Sequence, residues 1–397
     1  MPPLELDITK LAAGGDGIGR EAGGRVVFVA GALPGERVLV EITQQKKDFA
    51  RARVEETLVA APERVAPPCP FVAEGCGGCD WQHVDPSAQR RLKVGIVNDA
   101  LHRIGRLDDV EVREGPSLAP AGYRTTVRGV ITGGSFGFRR RGSHAAIAVD
   151  PCLVAHPRLA DLISSGDFGE ATEVTLRVGA RTGERLALLA PTAMGAALPD
   201  DVLVVGADQL AIGKRAWYHE EVAGRRFRVS AKSFFQASAD GADALVAQVR
   251  EAAGDALGSG TLADLYAGVG LFAGILGDGM HVIAVEQSPS AVADAKINLA
   301  DRDARIVKSD VAHWRGSAAD LVIADPPRDG LGVVGARQVA ATGARTVVLV
   351  SCDPASLGRD ARLLTTSGYT FVSATLVDLF PQTTHLEVVS RFIQNPA

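Results

Sequence analysis

Five apolar runs between residues 261 and 354 are separated by helical stretches: "TLADLYAGVG", "MHVIAVEQS", "ARIVKSDV", "ADLVIADPP" and "ARTVVLVSCDP". That alternation starts near residue 236 and is the pattern of a doubly wound parallel sheet. An acid stands in or just after each of the first four runs: Asp264, Glu286, Asp310 and Asp325. Ligands of such sheets bind in the crevice outside the carboxyl ends of the strands. One acid there is ordinarily a cap or turn residue. Four in register surround a crevice.

The stretch "LADLYAGVGLFAG" (262–274) reads as a strand, a glycine turn and a helix start. Gly268 and Gly270 allow a tight turn and close backbone approach to a ligand. Gly268-x-Gly270-x-x-Ala273 fits the dinucleotide fingerprint, which alone is weak. Glu286, 18 residues beyond Gly268, is placed to bond ribose hydroxyls. Two features favour S-adenosylmethionine over NAD. Asp264 lies four residues before Gly268, where an acid can face a cationic amino-acid end that NAD lacks, and acids recur at the following strand ends.

Upstream, the pattern is different. Residues 1–62 hold short β segments with Gly turns, which suggests a small OB-like β-barrel, and "VAAPERVAPP" forms a linker. Residues 63–235 read as a mixed α/β domain, with a helix around "PSAQRRLKVGIVNDALHRIG", and 236–397 as the Rossmann-like domain. The expected fold is therefore α/β and multidomain. The central segment opens with "CPFVAEGCGGCDWQH", three of the five cysteines within eleven positions. No signal-like start or apolar stretch of roughly 20 residues is present. The expectation is a cytoplasmic protein, whose clustered thiols more often mean metal or catalysis than disulfides. With Cys152, the spacing suits zinc or an iron–sulfur centre about equally, with a redox pair in "CGGC" the weaker alternative. Net charge is −5, against indiscriminate nucleic-acid binding, yet "QQKKDFARAR", "RRRG" and "GRRFRV" are basic. Each alone is best read as a solvated face; together they make a phosphate-facing surface plausible.

Cys352 stands alone in "TVVLVSCDPASLGRD", at the ligand-binding edge of the sheet, and such a cysteine is most often packing. Its company changes the reading: "DPPR" closes an adjacent strand and "THLEVV" offers Glu387 near a terminal strand. A methyl donor, a thiol and a carboxylate together suit one chemistry. C5 of uracil is a poor nucleophile until a thiolate adds at C6; a base then removes the C5 proton and the thiol is expelled. A target base must first leave any helical stack.

These residues make the chain resemble the RNA 5-methyluridine (uracil-C5) methyltransferase family over nearly its whole length. "SFFQAS", "DLYAGVG", "DPPRDGL", "VSCDPASLGRD" and "HLEVV" follow in the family's order. The resemblance implies that the N-terminal stretch is a TRAM domain and the central one an iron–sulfur domain. It further implies that Cys69, Cys76, Cys79 and Cys152 hold a [4Fe–4S] cluster. Gln236, Tyr266, Glu286, Asp310 and Asp325 would bind S-adenosylmethionine, with Cys352 the nucleophile and Glu387 the base. The implied partner is RNA, ribosomal rather than transfer, with no membrane and a monomeric enzyme. The first cluster gap, Cys69-x6-Cys76, is one residue longer than the family's pattern. Three rivals stand beside this reading. An iron–sulfur redox sensor that binds RNA would need the cluster but no thiol nucleophile. An exocyclic-amine methyltransferase would favour an aromatic where Arg328 stands, and an NAD dehydrogenase leaves the cysteines unexplained.

Overall fold

The computed structural model describes residues 4–396. Its C-terminal sheet has eight strands in the order Ala304–Lys308, His281–Glu286, Thr261–Leu265, Leu321–Ala324, Thr346–Ser351, Glu387–Gln394, Tyr369–Val377 and Val112–Glu114. The first five run parallel, as the alternating pattern requires. Glu387–Gln394 inserts antiparallel between Thr346–Ser351 and Tyr369–Val377.

The strand Thr346–Ser351 is buried at every position, which explains its unbroken apolar run. Val348 and Val350 pack with Leu245, Val246 and Val249 of the helix Ala239–Ala253 on one face. Val347 and Leu349 pack with Leu357, Ala361 and Leu364 of the helix Pro354–Thr366 on the other. The latter layer also takes Val97 and Leu101 from the helix Pro86–Arg103. That helix and Val112–Glu114 lie in the stretch expected to be central, yet both join the C-terminal layers.

Six N-terminal strands form one sheet, ordered Leu4–Asp7, Arg37–Gln45, Phe49–Val59, Val26–Ala30, Gly17–Arg20 and Lys10–Leu11. The expected barrel is met only as this six-stranded ladder; among the described residues, its two end strands do not pair with each other. A second six-stranded sheet, from Ala146–Ala148 to Val202–Gly206, forms the middle of the chain, with its own core around Leu159, Leu162 and Leu176. Among the described residues, no helix is long and apolar enough to cross a membrane.

Two basic runs have partners within the chain. Arg225 pairs with Asp301, Arg226 with Glu184 and Arg228 with Asp294, so "GRRFRV" offers no free phosphate-facing row. Arg139, Arg140 and Arg141 instead wrap the cysteine segment, through Gly77 N–H to the Arg139 carbonyl at 3.0 Å and Arg141 to the Cys79 carbonyl at 3.2 Å.

Candidate active site and cysteine centre

The topology gathers the sequence-predicted residues on one sheet edge. Leu265, Glu286 and Ala324 end neighbouring parallel strands, so Tyr266, Glu286 and Asp325 stand side by side. Ser351 is paired with Val388. Cys352 and Glu387, 35 residues apart in sequence, are therefore the next neighbours across that ladder. A cavity of about 530 Å³ opens over the edge, lined by Gln236, Tyr266, Gly268, Glu286, Asp325, Cys352 and Glu387. Cys352 is half-buried rather than sealed in the core.

The glycine turn is built on backbone strain. Tyr266 adopts φ 62°, Gly268 56° and Gly270 88°, left-handed conformations that glycine tolerates and tyrosine does not favour. Glu286 fixes this turn, accepting from the Gly268 N–H at 2.9 Å and the Ser288 N–H at 2.6 Å. Asp264 does not face the ligand cavity, contrary to the sequence argument. It is fully buried under the turn and accepts from the Ala273 N–H at 3.0 Å. Burial, with Asp325 and Glu286 nearby, pushes its carboxyl up to about 7. The Asp310 carboxylate caps a short turn through the Ala312 N–H at 2.9 Å, between Ser309 and Val311, which line the cavity.

Gln236 arrives from a separate unit. The hairpin Trp217–Val222 and Arg225–Ser230 is bolted to the helix Pro289–Asn298 through buried Asp294, which accepts from Arg228, the Ser230 N–H and Ser233 at 2.6–2.9 Å. This anchor delivers "SFFQAS" to the cavity, with Phe234 70% exposed at its mouth.

The reacting end carries unusual electrostatics. Desolvation pushes the carboxyl of half-buried Asp325 up to about 7. Glu387 is raised well above the ordinary carboxyl value by burial and by Asp325, against the lowering effect of Arg328, and its Oε2 has no partner. Burial, Glu387 and Asp325 push the Cys352 thiol up to about 12, opposed by Arg328. Arg328 donates to His385 Nδ1 at 2.8 Å, and burial beside that guanidinium lowers the His385 pKa, leaving a neutral ring. Like charges crowd one another out of ionisation in a low-dielectric pocket. Arg124, Phe234, Phe380 and His385 line this cavity without having been read from the sequence; for His385 the signal was its place two residues before Glu387.

Cys69, Cys76, Cys79 and Cys152 line a second, small cavity with Val72, Phe138 and Val149, and all are free thiols. Desolvation pushes Cys79 up to about 11 and raises Cys76 and Cys152, so only a bound cation would hold them as thiolates. Among the described residues, no group of three or more His, Cys, Asp or Glu side chains is arranged to hold a metal ion. The chemistry of four cysteine sulfurs around one cavity suits either zinc or an iron–sulfur group. Arg124 borders this cavity and the reaction cavity alike.

Residues 4–54 match the TRAM domain family. A Streptomyces avermitilis protein described as an "Uncharacterized RNA methyltransferase" is 36% identical over 422 residues, 97% of each chain. A Gloeobacter violaceus protein of the same description is 32% identical over 98% of this chain and 95% of its own. The solved Pyrococcus abyssi tRNA (uracil-54, C5)-methyltransferase, in complex with S-adenosyl-L-homocysteine, shares the fold at TM-score 0.74 and 24% identity, over 98% of this chain and 99% of that one. With relatives this similar along nearly the full length, the chain belongs to the RNA methyltransferase family, carrying a TRAM domain ahead of a Rossmann-like methyltransferase fold.

Proposed function

We propose that this chain uses S-adenosylmethionine to methylate C5 of a uridine in RNA, with Cys352 as nucleophile and Glu387 as base. The observation that carries the reading is the juxtaposition of Cys352 and Glu387 across one strand ladder, opening into the cavity of the Gly268 turn. When bound, S-adenosylmethionine supplies a methyl group on a sulfonium that leaves as a neutral thioether. Gln236, Tyr266 and Glu286 would hold it, with Asp310 buttressing the wall and Asp325 between it and the target base.

The Cys352 sulfur, having released its proton, adds to uracil C6 and drives electrons onto C5, which takes the methyl group. Glu387 removes the C5 proton through its unpartnered Oε2, the C5–C6 double bond reforms, and the C6–S bond breaks to return the thiolate. At a pKa of about 12 only on the order of one thiol in 10⁵ is ionised at pH 7. Glu387, whose pKa is raised, must itself give up its proton before it can accept the one from C5. Arg328 favours the sulfur anion throughout.

Ribosomal RNA is the proposed substrate class, with transfer RNA the alternative, and the cytoplasm the proposed compartment. Cys69, Cys76, Cys79 and Cys152 are proposed to hold a [4Fe–4S] cluster in a clamping role, since methyl transfer to a carbanion needs no electron. Cys352→Ala tests the reading: methyl transfer to uridine should vanish while S-adenosylmethionine still binds. Full activity in that variant would defeat it.

A further inference from the structure

The cavity's catalytic rim is the segment 378–387, joining the strand Tyr369–Val377 to Glu387–Gln394. It brings Phe380, His385 and Glu387 to the cavity. A few short bonds hold it locally, such as His385 N–H to Thr383 Oγ1 at 3.2 Å. The remaining anchors come from the cysteine segment, the helix after it and Tyr123. Gln89 exchanges hydrogen bonds with the Gln382 backbone and side chain at 2.8 and 3.1 Å, and the Trp81 N–H donates to the Gln382 carbonyl at 3.0 Å. Lys93 donates to Asp378 at 2.7 Å, and Tyr123 to the Pro381 carbonyl at 2.9 Å.

The anchor nearest the chemistry is Asp80. Its Oδ1 accepts from the Thr384 N–H at 2.8 Å and its Oδ2 from the Thr384 hydroxyl at 2.9 Å, three residues before Glu387. Both bonds are charge-assisted, and both carboxylate oxygens serve one residue. A third element closes over the pair. Gly15, in the TRAM sheet's loop, sits so near that an added Cβ would stand 2.3 Å from Thr384 Cγ2 and 2.7 Å from Trp81 Nε1. Thr384 is thus held from two sides by chain segments outside the methyltransferase sheet, and Asp80 itself does not line the reaction cavity.

We infer that Asp80 is a positioning residue for the base: by fixing Thr384 it sets where His385 and Glu387 stand, and it governs proton removal from C5 rather than methyl transfer. The inference rests on the uracil-C5 reading above. Its signature is kinetic. If Glu387 is displaced while Cys352, just past the end of another strand, is not, the sulfur still adds and C5 still takes the methyl group. The reaction then stalls with RNA covalently attached.

The test uses full-length protein, S-adenosylmethionine and substrate RNA with ordinary uridine, and reads RNA–protein adduct on denaturing gels beside turnover. Asp80→Ala should lower kcat on the order of 10²-fold, the cost of a displacement near 1 Å, with S-adenosylmethionine affinity unchanged and methylated adduct accumulating, as in Glu387→Gln. Asp80→Asn, which can keep both contacts, should restore most turnover. Thr384→Val, which removes only the hydroxyl contact and leaves the cysteine segment untouched, should show the same defect more weakly. Adduct in Glu387→Gln but wild-type turnover in Asp80→Ala would overturn the inference and leave the reaction standing. So would joint loss of adduct, cofactor binding and turnover in both Asp80→Ala and Thr384→Val. Absence of adduct in Glu387→Gln, with none on 5-fluorouridine RNA in wild type, would overturn the reaction and this inference with it.

Discussion

If Asp325 stands beside the cofactor as proposed, cofactor affinity should depend on pH. Desolvation pushes the half-buried Asp325 carboxyl up to about 7, so at pH 6 about a tenth of the free enzyme carries the anion and at pH 8 about nine-tenths does. A sulfonium cation placed beside it favours the ionised form. If binding requires that form, the dissociation constant should fall about tenfold from pH 6 to pH 8, or about 1.4 kcal/mol. Calorimetric titration in two buffers of different ionisation enthalpy should show protons released on binding near pH 6.5. The ligand's own α-amino group titrates at roughly 7.7–8.0, so Asp325→Asn is the reference: its affinity should be weaker and should lack the tenfold component. The free enzyme should respond oppositely. A carboxyl whose folded pKa is raised stabilises least once the folded form must ionise, so Asp325→Asn should gain stability relative to wild type as pH rises from 4 to 8. Identical pH dependence of binding in wild type and Asp325→Asn would refute the argument.

Three further outcomes follow from the same structure. The rate of methyl transfer should rise from pH 6 to pH 9, because Cys352 and Glu387 must both lose protons and both are raised; a flat profile would contradict this. Lys93→Met leaves Asp378 buried without its cation and should destabilise the fold by about 3–5 kcal/mol in urea titration, with Lys93→Met/Asp378→Asn recovering much of it. Cys79→Ser should lower bound iron and the visible absorbance of protein purified without oxygen, while apo protein should keep its far-ultraviolet dichroism from the C-terminal sheet.

Much of this was legible in the chain because strand interiors buried on both faces leave unbroken apolar runs, as in "TVVLVS", and because crevice acids follow them directly. Cys352 and Glu387 could be nominated by the chemistry they share. Their adjacency could not, because it depends on Glu387–Gln394 inserting antiparallel into the sheet, a register fixed by long-range packing. Asp264 misled for a related reason: its place before the turn is visible, but not the inward rotation toward the Ala273 N–H. The arginines of "GRRFRV" looked free because their partners, Glu184, Asp294 and Asp301, lie 42 to 76 positions away. The cysteine motif announced itself, yet nothing in "CDWQH" discloses that its aspartate reaches Thr384.

The most direct measurement is peptide mapping by mass spectrometry after incubation with S-adenosylmethionine and RNA carrying 5-fluorouridine. Fluorine at C5 cannot be abstracted as a proton, so a methylated nucleotide should remain bonded to the peptide containing Cys352 and to no other. Methylated RNA with no covalent peptide, or an adduct on a different cysteine, would contradict the account.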